Sequence, residues 1–263
     1  MSAFYPSPFQ QAAVLTIDGV GEWATTSLSI GRDNSLEVVK EIKFPHSLGL
    51  LYSAFTSFTG FKVNSGEYKM MGLAPYGEPK YVDKILENLI DVQQDGSFRL
   101  NMDFFDFPVS NRMTSQRFAN LFGGPARNAE SELTQREMDL SRSMQEVTEL
   151  VVGRLARYAR QTTGMKDLCL AGGVALNCVA NGKLVRENIF ENIFIQPAAG
   201  DAGGALGAAL GVWHKYLGKP RTAKTGDAMR GSYLGPKFSD DEVTKFLNSQ
   251  AIPHQQISRN ELN

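Results

Sequence analysis

Three short apolar runs, each followed by a glycine-rich turn, place the strongest limit on what this chain can fold into. The runs predict strands at 12–18, 167–171 and 192–195. Continuous apolar runs of this kind are typical of strands that are buried on both faces. In an open α/β sheet, ligands bind in the loops beyond the carboxyl ends of such strands. The sequence therefore predicts an α/β fold with a ligand site at one edge of its sheet.

The remaining segments predict a β-β-β-α order, an insertion, and then an α-β-α-β-α order. Alternating patterns at 23–30 and 36–44, separated by turn residues, predict that the first three strands form an antiparallel meander. Residues 91–127 are aromatic-rich but aperiodic, which indicates an irregular insertion or lid with a short strand at 98–100. Apolar residues at helical spacing predict helices at 48–58, 79–90, 134–163, 175–185, 202–216 and 240–248.

Charge and hydropathy disfavour several classes of partner. The 263 residues carry a net charge of −1 and have a pI of about 6.3, so no basic field attracts nucleic acid or an anionic membrane surface. The sequence has no apolar stretch of about 18 residues that predicts a membrane-spanning helix. Its N-terminus lacks the basic and apolar regions of a signal peptide. We expect small-molecule or protein partners, no nucleic acid and no membrane.

The histidines and cysteines form no metal-binding pattern in the sequence. His46, His214 and His254 do not stand at ligand spacing from a carboxylate, so we interpret them as structural or surface residues. Cys169 and Cys178 form no CxxC pair, which disfavours a metal–thiolate site and a disulfide framework and favours a reducing cytoplasm. We interpret Cys169 as a small core residue.

The first glycine-rich turn has the sequence Asp-Gly-Val-Gly-Glu at 18–22. Gly19 and Gly21 leave room for backbone N–H groups to approach phosphate oxygens, and the Asp18 carboxylate can hold a divalent cation. The alternative is a plain hairpin turn, because Asp-Gly is a strong hairpin signal.

The second turn leads from a buried strand through Gly172 and Gly173 into a predicted helix, and such a helix start is an anion site. Asn177 and Asn181 are four residues apart, so we expect them on one helix face, where their amides can bind a ligand. The alternative is that the small residues serve only the packing of helix against strand.

The third turn places Gly200 and Asp201 before a helix that contains Gly203, Gly204 and Gly207. Each glycine costs a helix about 1 kcal/mol relative to alanine, so we expect a ligand ring or another helix to pack very close. The alternative for Asp201 is an ordinary N-cap.

Five stretches of the sequence resemble the O-carbamoyltransferases of the NodU/CmcH type. The resemblance extends from residue 2 to about residue 235, and its motifs are specific when they are taken together. The matching stretches are SAFYPSPF at 2–9, LTIDGVGEW at 15–23, GEYKMMGLAPYG at 66–77, AGGVALN at 171–177 and PAAGDAGGALGAA at 197–209.

The resemblance implies the actin-like ATPase (ASKHA) fold, in which two ribonuclease-H-like halves enclose a nucleotide. The predicted element order is similar to the second half, so we expect 1–217 to be that nucleotide-binding subdomain, with its insertion near 91–127. We expect 218–263 to be a linker toward a YrdC-like domain that, like the first half, lies outside this chain. Such a half would be inactive alone and would expose an apolar face that favours self-association.

The resemblance also implies a two-step reaction. A YrdC-like domain converts carbamoyl phosphate and ATP to carbamoyl adenylate, and the domain type represented here transfers the carbamoyl group to a substrate hydroxyl. A bound metal, iron(II), is implied near the adenylate phosphate, where it can polarise carbonyl or phosphate oxygens.

By motif position, the resemblance implies metal ligands at Asp18 and Asp201. It implies nucleotide contacts, some on the carbamoyl side, from Gly19, Gly21, Glu67, Lys69, Gly172, Gly173, Val174, Asn177, Gly200 and Gly203. The family's metal-binding histidines belong to a segment of the form HHxxHAASAFYPSPF, and this chain begins within it at Met1. We therefore expect the two aspartates to be half of a metal site, and carboxylates without imidazoles favour hard cations over iron.

Two other functions stay open on the sequence. One is a kinase or ATPase of the same fold superfamily, although no general-base aspartate stands out near a sugar-binding strand. The other is a non-catalytic scaffold or regulatory module that keeps the ATP-binding fold, which the absence of the histidines favours.

Overall fold

The computed structural model describes residues 1–223 and 226–258. The chain forms two compact units, Met1–Ala228 and Met229–Asn263. The linker predicted at 218–263 therefore belongs partly to each unit. Its residues 224–225 and 259–263 lie outside the described residues.

The first unit is built on a five-stranded mixed sheet flanked by helices. Its strands are β1 (Gln11–Ile17), β2 (Ala24–Arg32), β3 (Ser35–Lys43), β6 (Asp167–Ala171) and β7 (Asn192–Ile195), and β4 (Ile90–Val92) and β5 (Phe98–Leu100) form a separate hairpin. The strand order is β3-β2-β1-β6-β7. β2 pairs antiparallel with β1 and β3, whereas β1, β6 and β7 are parallel. The predicted meander and short buried strands are confirmed.

β1 lies at the centre of the sheet, as expected for a continuous apolar run. Leu15 and Ile17 are buried in the main hydrophobic core. Ala12 and Val14 are buried on the opposite face, because alternate residues of a strand point to opposite sides. Such burial on both faces explains the absence of polar alternation in this strand.

Seven helices of the first unit pack around the two sheets. They are α1 (Leu48–Phe58), α2 (Glu67–Leu73), α3 (Val82–Asn88), α4 (Gln116–Leu121), α5 (Gln135–Thr163), α6 (Cys178–Arg186) and α7 (Ala202–Gly211). α5 begins at a capping box of Thr134 and Glu137 and ends at Gly164, whose φ of 65° only glycine adopts cheaply. The predicted apolar stripe of α5, with Leu140 and Met144, is buried.

Two predicted helices differ from the structure. The helix expected at 175–185 is a 3-10 turn at Gly173–Leu176 followed by α6, because the Asn177 side chain caps a new helix. The helix expected at 202–216 is α-helical only to Gly211 and ends in a π-helical turn at Val212–Tyr216.

The segment 91–127, predicted to be an irregular insertion or lid, contains more regular structure than its aperiodic sequence indicates. It carries most of the β4–β5 hairpin, with the predicted strand at Phe98–Leu100, and also α4. Phe118 of α4 is fully buried and packs edge-to-face against Phe55 and Phe58 of α1. These aromatic side chains belong to the main hydrophobic core.

The second unit contains α8 (Asp240–Ser249), close to the helix predicted at 240–248. Ser239 and Glu242 form its capping box, which satisfies backbone N–H groups at the helix start.

Candidate functional site

The three glycine-rich turns meet at the carboxyl edge of the parallel strands. β1 and β6 pair at Thr16 and Ala171, and β6 and β7 pair at Leu170 and Ile195. The three strands therefore end side by side, and the turns that follow them are brought together as the sequence predicts.

Hydrogen bonds join the turns to one another. The Gly173 N–H donates to Asp18 Oδ1 across 3.1 Å, which links the first turn to the second. The Gly172 N–H donates to the Ala199 carbonyl across 2.8 Å, which links the second turn to the third. The site is therefore one connected structure made of distant segments of sequence.

Asp18 is held by its backbone and by its side chain. Its backbone N–H donates to the Thr25 carbonyl across 2.8 Å, as in a turn between antiparallel strands, so the hairpin interpretation also holds. Its Oδ1 accepts a second hydrogen bond from the Gly19 N–H at 2.8 Å. Among the described residues, Oδ2 has no hydrogen-bond donor, which leaves this atom for a ligand.

Gly172 is required by the close approach of β1 and the second turn. Its φ is 91°, and a Cβ atom at this position would lie 2.2 Å from the Ile17 carbonyl oxygen. The packing interpretation therefore explains this glycine. Gly173 differs, since a Cβ there would lie at an ordinary 3.4 Å from Asp18 Oδ1.

The start of α1 is a fourth element of the site, which the motifs of the sequence do not indicate. Ser47 Oγ donates to the Asp18 carbonyl across 2.9 Å and accepts the Leu50 N–H as the N-cap of α1. A Cβ atom on Gly49 would lie 2.6 Å from the Asp18 carbonyl oxygen. The detectable signal was a serine followed two residues later by a glycine within the first turn of a helix.

Asn177 lies below the second turn rather than on a helix face. Its Oδ1 accepts the Ala180 N–H across 3.0 Å as the N-cap of α6, and its amide pairs with Gln145 of α5. Asn181 Nδ2 donates to the Ala175 carbonyl across 2.7 Å. Both asparagines are buried and stabilise the turn that carries Gly173 and Val174.

A phenol lies beside this amide pair. Tyr52 of α1 donates from its hydroxyl to Gln145 across 3.2 Å. Burial raises the pKa of Tyr52, and the nearby acidic groups of Glu67, Cys178 and Glu149 raise this pKa further. The hydroxyl therefore remains a hydrogen-bond donor throughout the neutral pH range.

Asp201 precedes α7 with its side chain exposed. Among the described residues, its carboxylate makes no capping hydrogen bond. The ordinary N-cap interpretation is therefore wrong, and the carboxylate is free for another role. Gly200 precedes it in the third turn, where its carbonyl accepts the Gly203 N–H across 3.0 Å and no described atom lies within 4 Å of a Cβ position.

The glycines of α7 accommodate the start of the chain rather than another helix. A Cβ atom on Gly203 would lie 2.2 Å from the Ala198 carbonyl oxygen, and one on Gly207 would lie 3.0 Å from the Ser2 nitrogen. A Cβ atom on Gly211 would lie 2.6 Å from the Met1 sulfur. The expectation of a close neighbour holds for Gly203, which meets the third turn itself, and for Gly207, which meets the N-terminal segment. It does not hold for Gly204, where no described atom lies within 4 Å of the Cβ position.

Glu67 and Lys69 lie on α2 and differ in their surroundings. The Glu67 carboxylate accepts hydrogen bonds from Ser53 Oγ and from the N–H groups of Asn64 and Gly66, at 2.9 to 3.1 Å. It therefore stabilises the start of α2. Lys69 is exposed and, within the described part of the chain, has no ion-pair partner.

A groove of about 560 Å³ lies between β3 and the β4–β5 hairpin and includes no residue of the three turns. His46 lines it and accepts the Leu100 N–H at Nδ1 across 3.1 Å. Burial lowers the pKa of His46, and the positive charge of Arg99 lowers it further. This groove has no direct link to the chemistry that the three turns indicate.

Within residues 1–223 and 226–258, no group of three or more His, Cys, Asp and Glu side chains is arranged to hold a metal ion. In the same ranges, no helix is long and apolar enough to cross a membrane.

The fold and the site define a class of protein: a mixed α/β domain that presents backbone N–H groups and two carboxylates at the carboxyl edge of its sheet. The chain belongs to the carbamoyltransferase N-terminus family, because the model of that family matches residues 1–210. The resemblance to the NodU/CmcH-type enzymes is thereby confirmed.

Relatives match nearly the whole chain. An uncharacterized protein of Synechocystis, sll1178, is 64% identical over 95% of this chain and 41% of its own length. Nodulation protein NolNO of Sinorhizobium fredii is 37% identical over 93% of this chain and 34% of its own. Nodulation protein NolO of Bradyrhizobium diazoefficiens is 35% identical over 99% of this chain and 45% of its own length. The chain thus spans less than half the length of these curated relatives.

Proposed function

We propose that this chain forms the nucleotide-binding half of a carbamoyltransferase domain with the actin-like ATPase fold. In the proposed reaction, the acceptor hydroxyl oxygen bonds to the carbamoyl carbon of carbamoyl adenylate. The bond from that carbon to the phosphate oxygen breaks, AMP leaves, and the hydroxyl proton is released to solvent. The observation that carries this proposal is the hydrogen-bonded convergence of the three turns at one sheet edge, in a chain of the carbamoyltransferase N-terminus family.

The sheet order supports the fold proposal. Three antiparallel strands followed by two parallel ones, in the order β3-β2-β1-β6-β7, are the arrangement expected of one ribonuclease-H-like half. The family membership and the shorter length of this chain relative to its relatives agree with a half of a larger enzyme. We further propose that it acts in the cytoplasm, where its two cysteines stay reduced.

Three helix starts support nucleotide binding. α1, α6 and α7 all begin beside the three turns, and each helix N-terminus carries a partial positive charge with free N–H groups. Gly19, Gly173 and Gly200 have no Cβ atom that would crowd a ligand there, although the Gly19 and Gly173 N–H groups donate to Asp18 Oδ1. We propose that the free N–H groups of the three helix starts bind the phosphate of the adenylate, while Lys69 neutralises charge on the carbamoyl side.

Glu67 and Asn177 have supporting roles in this proposal. Glu67 fixes the start of α2 through three hydrogen bonds and so presents Lys69. Asn177 donates one amide N–H to Gln145, and its second N–H has no acceptor among the described residues. That N–H can donate to the ribose or phosphate.

The iron(II) that the family resemblance implies does not fit the residues of this chain alone. Asp18 Oδ1 already accepts two backbone N–H groups, and Asp201 supplies one further carboxylate. No third ligand accompanies them within the described residues. Iron(II) sites in proteins use imidazole together with carboxylates. No step of the proposed reaction is therefore assigned to a metal.

Calorimetric titration tests the proposal with ATP and with a stable carbamoyl-adenylate analogue as ligands. We propose that the Asp201 carboxylate accepts a hydrogen bond from a nucleotide hydroxyl, so we expect binding of both ligands and a loss of at least about tenfold in affinity in the Asp201→Ala variant. This variant should fold normally, because the exposed Asp201 side chain makes no capping hydrogen bond among the described residues. Asp83→Ala is the matched control, because Asp83 is also an exposed aspartate and lies on α3. This substitution should leave the affinity unchanged.

The outcomes separate the three functions considered. Binding of the analogue that depends on Asp201 supports the transferase. ATP hydrolysis with a phosphorylated product would instead favour a kinase or ATPase. Absence of heat with both ligands would contradict nucleotide binding by this chain and favour a non-catalytic module.

A further inference from the structure

A buried amide pair lies directly below the second glycine-rich turn. Asn177 Nδ2 donates to Gln145 Oε1 across 2.9 Å, and Gln145 Nε2 donates to Asn177 Oδ1 across 3.0 Å. Gln145 is 1% exposed and Asn177 is 8% exposed. A reciprocal pair of this kind between α5 and the start of α6 fixes the relative position of two segments that are 32 residues apart in sequence.

Every hydrogen-bonding position of the Gln145 amide is used. Its Oε1 also accepts the Tyr52 hydroxyl, and its Nε2 also donates to Glu149 Oε1, each across 3.2 Å. The carbonyl has two lone pairs and the amide nitrogen has two N–H groups, so no capacity remains. A buried amide in this state cannot rotate without leaving polar groups unpaired, which makes its orientation unique.

Asn177 couples the orientation of the amide pair to the conformation of the turn. Its Oδ1 accepts the Ala180 N–H as the N-cap of α6, and its backbone N–H donates to the Val174 carbonyl across 2.9 Å. The side chain therefore sets where α6 begins, and the backbone closes the 3-10 turn that contains Gly173 and Val174. A shift of the Asn177 amide would move both.

We propose that Gln145 is a positioning residue, which holds the Asn177 amide so that the 172–177 turn and the start of α6 keep the geometry in which they contact the nucleotide. This inference rests on the proposed function of the turn. A residue that only filled the core would need no polar atoms, and an apolar side chain of the same size would avoid the cost of desolvating an amide. A need for one fixed geometry of the turn explains why a fully hydrogen-bonded amide occupies this buried position.

Two substitutions of Gln145 test the role, with Tyr52→Phe as the matched control. Gln145→Glu keeps the shape but places an oxygen against Asn177 Oδ1 and Glu149 Oε1. Gln145→Met keeps a similar volume, removes all four hydrogen bonds, and serves if the first variant does not fold. Tyr52→Phe removes one hydrogen bond to Gln145 and leaves the amide pair intact.

Two readouts are measured on the whole 263-residue chain. The first is hydrogen exchange of the Ala180 amide without nucleotide, and the second is the Kd for ATP by calorimetry, both at a temperature where each variant is folded. In both Gln145 variants, we expect the Ala180 amide to exchange at least about tenfold faster and the Kd for ATP to rise at least about tenfold. The reason is that a buried polar group left unpaired is costly. Tyr52→Phe should stay within about threefold of the unsubstituted chain on both readouts.

Unchanged Ala180 exchange in Gln145→Met would overturn the inference, as would faster exchange with unchanged ATP affinity. A lower unfolding temperature without either change would also overturn it, because that result describes a residue with only a structural role. If the unsubstituted chain binds no ATP, the proposed function fails, and the exchange measurement still decides whether Gln145 positions the turn.

Discussion

The Oδ1 atom of Asp18 lies 3.1 Å from the backbone nitrogen of Gly173 and accepts its N–H. This contact joins the turn after β1 to the turn after β6, across 155 residues of sequence. The same oxygen accepts the Gly19 N–H. A residue predicted to be a ligand is therefore also a structural connection between two strands.

Substitution of Asp18 separates these two roles. Asp18→Asn keeps an acceptor oxygen for both N–H groups, whereas Asp18→Ala leaves them unpaired. We expect Asp18→Ala to lower the free energy of unfolding by about 1–2 kcal/mol and Asp18→Asn to lower it by no more than about 0.5 kcal/mol. Urea unfolding measures both values. Equal losses in the two variants would show that charge, rather than the hydrogen bonds, stabilises the turn.

Neighbouring glycines of α7 should respond in opposite directions to alanine. A Cβ atom on Gly203 would lie 2.2 Å from the Ala198 carbonyl oxygen. Gly203→Ala should therefore lower the free energy of unfolding by about 2–3 kcal/mol. At Gly204, no described atom lies within 4 Å of the Cβ position. Gly204→Ala should raise stability by about 0.5–1 kcal/mol, because alanine favours the helix.

Chemical denaturation of these two variants decides the point. The pair is matched in residue type, helix and sequence neighbourhood, so helix propensity acts equally on both. A loss of stability in Gly204→Ala similar to that in Gly203→Ala would contradict the packing described for α7.

Arg221 should be essential for holding the N-terminal segment. Its buried guanidinium donates to the carbonyl groups of Phe4, Tyr5, Ser7 and Phe9, at 2.8 to 3.0 Å. Hydrogen bonds from a charged donor are among the strong ones, so Arg221→Met should cost at least about 2 kcal/mol of stability.

Limited proteolysis gives a local measurement of the same effect. Cleavage within residues 1–9 should become faster in Arg221→Met, because the carbonyl groups lose their donor. Arg112→Met is the control, since Arg112 is exposed and its guanidinium has no hydrogen-bond partner among the described residues. Equal cleavage rates in the two variants would argue against the contact with Arg221.

His46 should make stability depend on pH. Burial and the charge of Arg99 hold the pKa of His46 below its ordinary value of 6.5. The unfolded chain therefore binds a proton at a higher pH than the folded chain does. The free energy of unfolding should be highest above pH 6.5 and should fall as the pH drops through the window down to the lowered folded pKa.

A comparison with His46→Asn isolates this contribution. The asparagine oxygen can accept the Leu100 N–H near the position of Nδ1 but does not titrate. We expect the stability of this variant, measured by urea unfolding between about pH 7.5 and 5.5, to fall less than that of the unsubstituted chain. Parallel pH profiles would exclude His46 as the source of the dependence.

The chain should self-associate through apolar side chains near the three turns. Trp23 is 71% exposed, and Val20, Tyr68 and Leu176 are also exposed. Exposed apolar groups of this kind favour association, and the relatives are more than twice as long as the part that matches this chain. Light scattering at increasing concentration should show a mass above that of the monomer, and Trp23→Ser should reduce it. A clean monomer at all concentrations would contradict this expectation.

The sequence alone predicted most of the elements and the family. Buried strands such as β1 and β6 have continuous apolar runs, and α5 has a strong helical period with a capping box and a terminal glycine. These signals are local, so tertiary contacts are not needed to read them. The glycine-rich turns could also be found, because glycines directly after an apolar run mark a tight turn that needs the backbone freedom of glycine.

The roles of individual residues at the site were not readable in this way. Asn177 looked like a ligand contact on a helix face, yet its amide pairs with Gln145 and caps α6. No local signal singles out Gln145, although it belongs with Ser141 and Thr148 to a buried polar row of α5 that follows helical spacing. Such a row indicates a partner across the helix interface but does not identify it.

The sequence by itself thus determined the strands, the principal helices and the position of three glycine-rich turns, because backbone preference and apolar periodicity act over a few neighbouring residues. Only the tertiary structure decided that Asp18, Gly173 and Ala199 lie in one hydrogen-bonded edge and that Gly207 and Gly211 of α7 face Ser2 and Met1. The contact between Asp18 and Gly173 and the two contacts of α7 join residues more than 150 positions apart. They form only when the strands are aligned in parallel register, which no local signal specifies.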